Sequence, residues 1–565
     1  MKRITLICLI IILTSIISLS ITYAPNDKIW IAYDVYNEPL EKIIEIHPNW
    51  VFRVLNIWGN TLDDGRQYSQ DAGRFIKILS ENNIKSSAMI GGISISSKDK
   101  KDFIEASAAR NPLGKITGVD NKTLHGCYNR IEWRQRLETL FDIAVKSGVS
   151  AIELDQPSQE HWRGECYCNT CNEGFTKWLI KNNIKDIDKD FDYVAFLKKN
   201  NMAHINEGDR EIVSPYGKLY WKYQIEKDRK NIGRITDEFN KRHKGLKFFG
   251  NTWGLAGEYI PAVPYYSNID IAGDMRTPWI WEPDKDRFGA PFNSWIPVVK
   301  LARAIDDSKS ILSFLDTYPY ERILEKEHDR KDDVLAQFAS EIIASGAEFV
   351  FPYSNRVAYR DISGFDHERM KDFIRFLKDK KELFGKRKSE SPILLIVDED
   401  EAVLKRFMKQ YWAIAYLIID NSLDFDVVFR KDLVNTDITS YKKIIDCKKY
   451  SEDIFRYCYD KNENYIKEVK KKISDIKSPY SFDGDKYTRV FRAKDKNKLI
   501  DYIVPTDIDN KKSMKIYFNE TDKDLEVSTF PDSIKVKKDL KDGKRILELD
   551  TKPFLIILKK TLENK

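Results

Sequence analysis

The stretch "GVSAIELDQPSQEHWRGECYCNTCNEGFTKWL" (residues 148–179) decides how the rest of the chain is read. An apolar, β-rich run ends at Asp155. A polar loop follows, then three cysteines spaced C-x-C-x-x-C, then a helical pattern. A strand feeding a helix through a loop is one βα unit. The same unit recurs outward in both directions. Strands are expected at 29–36, 50–58, 84–93, 149–155, 246–254, 268–275, 310–319 and 347–354, with helical patterns such as 71–83 and 130–148 between them. Eight such units predict an α/β fold, a (β/α)8 TIM barrel with long loops. A doubly wound open sheet is the alternative, but no Gly-rich phosphate loop follows the first strand.

A chain of 565 residues exceeds one ordinary core, so two to four domains are expected. The barrel spans 28–385. The stretch "GKRKSESP" (385–392) reads as a linker. Residues 390–482 read strand, helix, strand, strand, a flavodoxin-like α/β domain. Residues 484–562 carry short alternating strands, a small C-terminal β-sandwich. Lys and Arg total 94 against 88 Asp and Glu. That near-balance is a mixed-sign surface and excludes a nucleic-acid footprint. Residues 1–24, "MKRITLICLIIILTSIISLSITYA", have a basic start and a long apolar run, which reads as a signal peptide or an N-terminal membrane anchor. Pro25 after Ala24 disfavours cleavage at that bond. Either reading makes the protein secreted or membrane-anchored, extracytoplasmic.

In a barrel, chemistry gathers at the C-terminal ends of the strands. Asn56 and Trp58 stand there after the second strand, Glu153, Asp155 and Gln156 after the fourth, and Trp253 after the fifth. Asp274, Arg276 and Trp279 end the sixth, and Asp316 and Tyr318 the seventh. Acids and aromatics around one rim are what glycosidic cleavage needs. One carboxyl group protonates the leaving oxygen, a second attacks or activates water, and aromatic faces stack on sugar rings. The catalytic candidates are Asp155 with Asp274 or Asp316. The substrate-binding candidates are Asn56, Trp58, Glu153, Trp253, Arg276, Trp279 and Tyr318.

Cys166, Cys168 and Cys171 need a partner to complete a tetrahedral zinc site. Cys127 offers a thiolate from the loop region after the third strand, and His161 competes for the place. A closed structural site fits this spacing better than disulfides, whose geometry is poor in such short loops. With four protein ligands such a metal does no chemistry itself. The seven histidines show no H-x-H or H-E-x-x-H spacing, which argues against a metallohydrolase.

"CYCNTCNEGFTKWL" and "GCYNRIEWRQR" resemble segments of glycoside hydrolase family 42 β-galactosidases and related glycosidase-like barrels. The resemblance implies structural Zn2+ held by Cys127, Cys166, Cys168 and Cys171. It also implies a barrel followed by a flavodoxin-like trimerisation domain and a β-domain, hence a homotrimer, acting on carbohydrate. The catalytic pattern departs from that family. Its Asn-Glu pair after the fourth strand is Asp155-Gln156 here, and its nucleophilic Glu after the seventh strand corresponds to the shorter Asp316. Two readings follow. One is an exported glycoside hydrolase using a different carboxylate pair; pairing Asp155 with Asp274 resembles α-galactosidase-type barrels. The other is a catalytically inactive barrel that binds carbohydrate or serves the cell envelope.

Overall fold

The computed structural model describes residues 22–23, 30–32, 40–118, 120–155, 166–185, 187–205, 213–251, 269–275, 296–306, 309–315, 331–352, 367–384, 387–398, 408–449, 463–483, 485, 488–506, 513–518, 525–541 and 544–562. Eight parallel strands close a barrel: β1 (Trp30–Ala32), β2 (Trp50–Ile57), β3 (Lys85–Gly91), β4 (Ala151–Asp155), β5 (Lys247–Asn251), β6 (Ile269–Met275), β7 (Ile311–Leu315) and β8 (Glu348–Pro352). Each coincides with an expected strand. Closure comes from the β8–β1 pairing, Val350 with Trp30 and Phe351 with Ile31.

Two apolar layers hold the barrel. Inside it, Trp50, Phe52, Ala151, Phe249, Leu312 and Val350 form a buried plug. Phe52 and Phe249 meet edge to face at 5.5 Å, the arrangement their ring quadrupoles favour. Outside, amphipathic helices such as Leu62–Glu81 and Ile131–Lys146 lay apolar faces on the strands, burying Ile76, Leu79, Leu137 and Phe141. The first of these helices opens on a capping box. Thr61 accepts from the Asp64 amide while the Asp64 carboxylate accepts from the Thr61 amide.

After the barrel, β9 (Ile393–Val397), β10 (Phe425–Phe429) and β11 (Lys443–Asp446) form a parallel three-stranded sheet in the order β10-β9-β11. Helices Met408–Ile419 and Glu463–Ile473 accompany it. The sandwich follows: β12 (Tyr480–Asp483), β13 (Arg489–Asp495), β14 (Lys498–Val504), β15 (Met514–Phe518), β16 (Leu525–Phe530), β17 (Val536–Lys541), β18 (Lys544–Leu549) and β19 (Leu555–Thr561). One sheet runs β12-β15-β18-β17. The other contains β13, β14, β19 and β16, extended at the β13 edge by Arg387–Ser389 and Thr22–Tyr23.

Three sequence expectations change here. Arg387–Ser389, read as linker, is a strand, because pairing with β13 satisfies its backbone groups. The sandwich starts at Tyr480 rather than 484, since β12 pairs with β15. Strand β14 was not expected at all. It joins β13 through a two-residue loop, Lys496-Asn497, with Lys496 in the left-handed region (φ 52°). A tight hairpin turn is usually signalled by Asn-Gly or Asp-Gly, and neither is present. Among the described residues no helix is long and apolar enough to cross a membrane. Of residues 1–24, the expected signal or anchor, only Thr22–Tyr23 are described, as a short strand paired with Arg387 and Lys388; the others lie outside the described residues.

The three units are joined by buried charge. The Lys300 ammonium, on a barrel helix, donates to Asp424 at 2.8 Å and Asp426 at 3.3 Å in the middle domain. Ser389, Ser391 and Tyr441 hydroxyls also donate to Asp426. Arg489 of the sandwich pairs with Glu341 on barrel helix Lys331–Ala344, both fully buried.

Candidate active site and cysteine cluster

At the barrel mouth, register places the candidate residues on defined levels. Asn56, Met89, Glu153 and Phe249 are partners on successive strands β2 to β5. Two residues further along, Gly91, Asp155, Asn251 and Ala272 are register partners on β3 to β6. Ala151 belongs to the interior plug, so Glu153 and Asp155 share its face by the two-residue period of a strand. Asp155 is the last residue of β4 and half-buried. Its carbonyl accepts from the Gly92 amide at 2.6 Å, which ties the loop after β3 to this rim.

Glu153 is fully buried and engaged. Arg53 Nε donates to its two oxygens at 3.1 and 3.0 Å, and an Arg53 terminal nitrogen donates to Oε1 at 2.7 Å. Arg53 reaches inward because β2 bulges. Its pairing with β3 shifts register between Val51 and Leu55, and Arg53 adopts φ 56°. That left-handed backbone costs about 1–2 kcal/mol for a residue with a Cβ, and its amide is held by Ser87 Oγ at 3.0 Å. Glu153, expected to bind substrate, is thus a partner of Arg53, whose side chain keeps 27% exposure at the mouth.

Asn56 is exposed, and its Oδ1 accepts from the Trp58 amide at 3.0 Å, a turn that orients the indole. The Trp58 ring lies against Gly91, where any Cβ would come within 3.0 Å of it. Asp274 lies in β6 opposite Phe314 of β7, two residues beyond the Ala272 level, and its side chain is outside the described set. Asp316, Trp253, Arg276, Trp279, Tyr318, Gln156 and His161 lie outside the described residues.

The four cysteines meet. Cys127, Cys166, Cys168 and Cys171 are buried free thiols whose sulfurs all lie within 4.8 Å of one another. Cys127 Sγ is 3.5 Å from Cys171 Sγ and 3.9 Å from Cys168 Sγ. Each sulfur has a rigid mount. The Cys127 amide donates to the Ser107 carbonyl at 2.8 Å. Cys168 is the N-cap of helix Asn169–Lys181, and Cys171 sits in its first turn. The Cys166 carbonyl accepts from Tyr220 Oη at 2.5 Å and Gln224 Nε2 at 3.1 Å. Asn129 Nδ2 points at Cys171 Sγ, 3.4 Å away, and lies 3.1 Å from Tyr223 Oη; Asn129 Oδ1 accepts from Asn231 Nδ2 at 3.0 Å. Burial pushes the Cys127 and Cys171 thiols well up. Hydrogen bonds from the other three sulfurs pull Cys168 down.

Residues next to Cys127 tie the cluster to the rim. Gly126, next to Cys127, donates to the Ile93 carbonyl at 2.6 Å, and Tyr128 Oη donates to the Gly92 carbonyl at 2.8 Å. Gly92 is the residue that holds Asp155.

Eight parallel strands closed into a ring, with acids at the mouth and a cysteine cluster beside it, define a TIM barrel. Structural comparison gives the same fold: that of GH42 β-galactosidases. A β-galactosidase from Bacillus circulans sp. alkalophilus superposes over 95% of this chain and 99% of its own, with TM-score 0.56 and 12% identity. A catalytic mutant of Gan42B, a GH42 β-galactosidase from G. stearothermophilus, gives TM-score 0.59 at 10% identity over 96% and 99%. An α-L-fucosidase isoenzyme 2 from Paenibacillus thiaminolyticus gives 0.56 at 9% over 95% and 100%. No protein-family model and no curated protein sequence matches the chain.

Proposed function

We propose that the protein cleaves a glycosidic bond with a carboxylate pair at the barrel mouth, Asp155 being one member and Asp274 or Asp316 the other. The observation that carries this is Asp155 itself, half-buried at the end of β4, above a sealed aromatic plug and two residues beyond the Arg53–Glu153 pair. Glycosidase chemistry needs a carboxyl group held at such a rim beside a second one. The fold neighbours, named as β-galactosidases and a fucosidase, support the class.

A metal fits the cysteine cluster. Thiolate–zinc bonds of about 2.3 Å imply sulfur separations of about 3.8 Å in a tetrahedron, and the 3.5 and 3.9 Å spacings bracket that value. Cys127, Cys166, Cys168 and Cys171 would hold Zn2+, which supplies cross-linking rather than catalysis when bound. Residues 1–24 would export or anchor the protein, and the middle domain would make a homotrimer.

The second reading, an inactive carbohydrate-binding barrel, is favoured by Gln156, which cannot exchange a proton where the resembled family has Glu. Hydrolysis of a panel of α- and β-linked aryl glycosides separates the two. Wild type is compared with Asp155→Asn, Asp274→Asn and Asp316→Asn, all checked for folding. Turnover lost in Asp155→Asn and in one other variant supports the enzyme. Glycan binding without turnover supports the binding barrel.

A further inference from the structure

A cleft of about 510 Å³ is lined by Asn129 and Tyr223, which flank the cysteine cluster, and by none of the residues assigned to the barrel mouth. Three helices line it; Ile131–Lys146 contributes Arg134, and two others contribute one face each. Asn169–Lys181 contributes positions 170, 173, 174, 177, 178 and 181, and Gly217–Arg242 contributes 223, 226, 227, 230, 231 and 234. Both follow the three-and-four spacing of a single helix face.

The charge on these faces is uneven. Arg134, Lys177, Lys181, Lys230 and Arg234 line the cleft, and none pairs with a carboxylate among the described residues. Two acids share it, Glu173 and Glu226, the second also accepting from Trp178 Nε1 at 2.6 Å, so the five cations outnumber the carboxylates. Lys227, deeper in, is neutralised by Asp228 at 3.1 Å. Arg134 donates through one terminal nitrogen to the Tyr128 carbonyl at 2.7 Å, yet its Nε is buried without a partner among the described residues. Burial and the neighbouring Arg234 charge both push its pKa down. Like charges held together in a cleft create a field that favours an anion.

Trp178 adds a second observation. Its indole is partly exposed between Lys177 and Lys181, stacked on Phe175 at 6.1 Å and fixed in orientation by the Glu226 bond. A fixed, partly exposed indole offers a platform for a sugar ring. The guanidinium groups of Arg134 and Arg234 in the same cleft can each take a carboxylate in two-pronged geometry.

We infer that this cleft is a binding site for a carboxylate-bearing polysaccharide, a uronate chain, with Trp178 under a sugar ring and Arg134, Lys230 and Arg234 on its carboxylates. The site is independent of the proposed barrel chemistry. It engages the chain through the face that backs the cysteine cluster.

The test is calorimetric titration of the intact protein with polygalacturonate oligomers, a neutral galactan and a single-stranded oligonucleotide. Wild type binds polygalacturonate, with affinity falling as salt rises, and binds the other two at least about tenfold more weakly. The exposed double variant Lys230→Glu, Arg234→Gln loses about tenfold or more in that affinity without a change in unfolding temperature. Turnover of small neutral glycosides, where present, stays as in wild type. Absence of polygalacturonate binding by wild type, equal binding by the variant, or equal binding of the oligonucleotide overturns the inference.

Discussion

Arg53 and Glu153 form a two-pronged ion pair at the barrel mouth, the guanidinium turned inward by a bulge in β2 and the carboxylate sealed from solvent on β4. A fully buried carboxylate is costly unless paired, so each partner fixes the other. Removing Arg53 is expected to cost about 3–5 kcal/mol, because the buried Glu153 carboxylate loses its two-pronged partner. Urea unfolding of Arg53→Ala, Glu153→Ala and the double variant checks this. The double variant should be less destabilised than the sum of the singles. Additive single effects would mean that the two groups do not depend on each other.

The cysteine cluster predicts metal content. Purified wild type should carry about one zinc per chain by elemental analysis, as a closed four-thiolate site does, and Cys171→Ser should lose most of it. A strong chelator should lower the unfolding temperature of wild type and leave that of the variant nearly unchanged. A wild-type chain free of zinc and indifferent to chelator would contradict the assignment.

Gly174 tests how that cluster is braced. A Cβ at this position would lie 2.1 Å from Tyr223 Oη, the hydroxyl that faces Asn129 beside Cys171. Tyr223 is buried, and its hydroxyl lies 3.1 Å from Asn129 Nδ2. Gly174→Ala is expected to destabilise the fold by about 1–3 kcal/mol through overpacking and to weaken zinc retention. Calorimetry and elemental analysis read both effects, and a neutral substitution would show that the tyrosine is not a brace.

Asp424 gives a pH dependence at the join between barrel and middle domain. Burial raises its pKa, opposed by the Lys300 ammonium. A raised folded value means that its contribution to stability is fully present below the unfolded carboxylate value of about 4. It is lost as pH rises through the folded value. Asp424→Asn mimics the protonated form. The difference in unfolding free energy between it and wild type should therefore shrink as pH falls toward that range. A difference that widens on acidification would contradict the sign.

Most of the barrel was readable because each strand is a β-rich run bounded by polar loops and followed by a helical period. The cysteine cluster was readable because C-x-C-x-x-C at a helix start leaves few uses for three thiols, and Cys127 joins them in space. Arg53 was not. Trp50 and Phe52 point inward, so strict alternation sends residue 53 outward, and a bulge at a non-glycine residue carries no local signal. Strand β14 escaped because its turn, Lys496-Asn497, lacks the usual glycine. Thr22–Tyr23 and Arg387–Ser389 form a sheet edge whose partners are distant in sequence, and no local pattern predicts such pairing. The basic cleft was hidden for a related reason: its cations come from three helices, and the overall charge is nearly balanced.

Asp155 is the proposed reacting carboxyl group. The most direct test is the turnover number of Asp155→Asn against wild type on the best aryl glycoside, with unfolding temperatures measured on the same samples. A fall of about 10²–10⁴-fold with an unchanged unfolding temperature is the predicted result. Turnover within about twofold of wild type, well outside that range, would remove Asp155 from the chemistry and contradict the account.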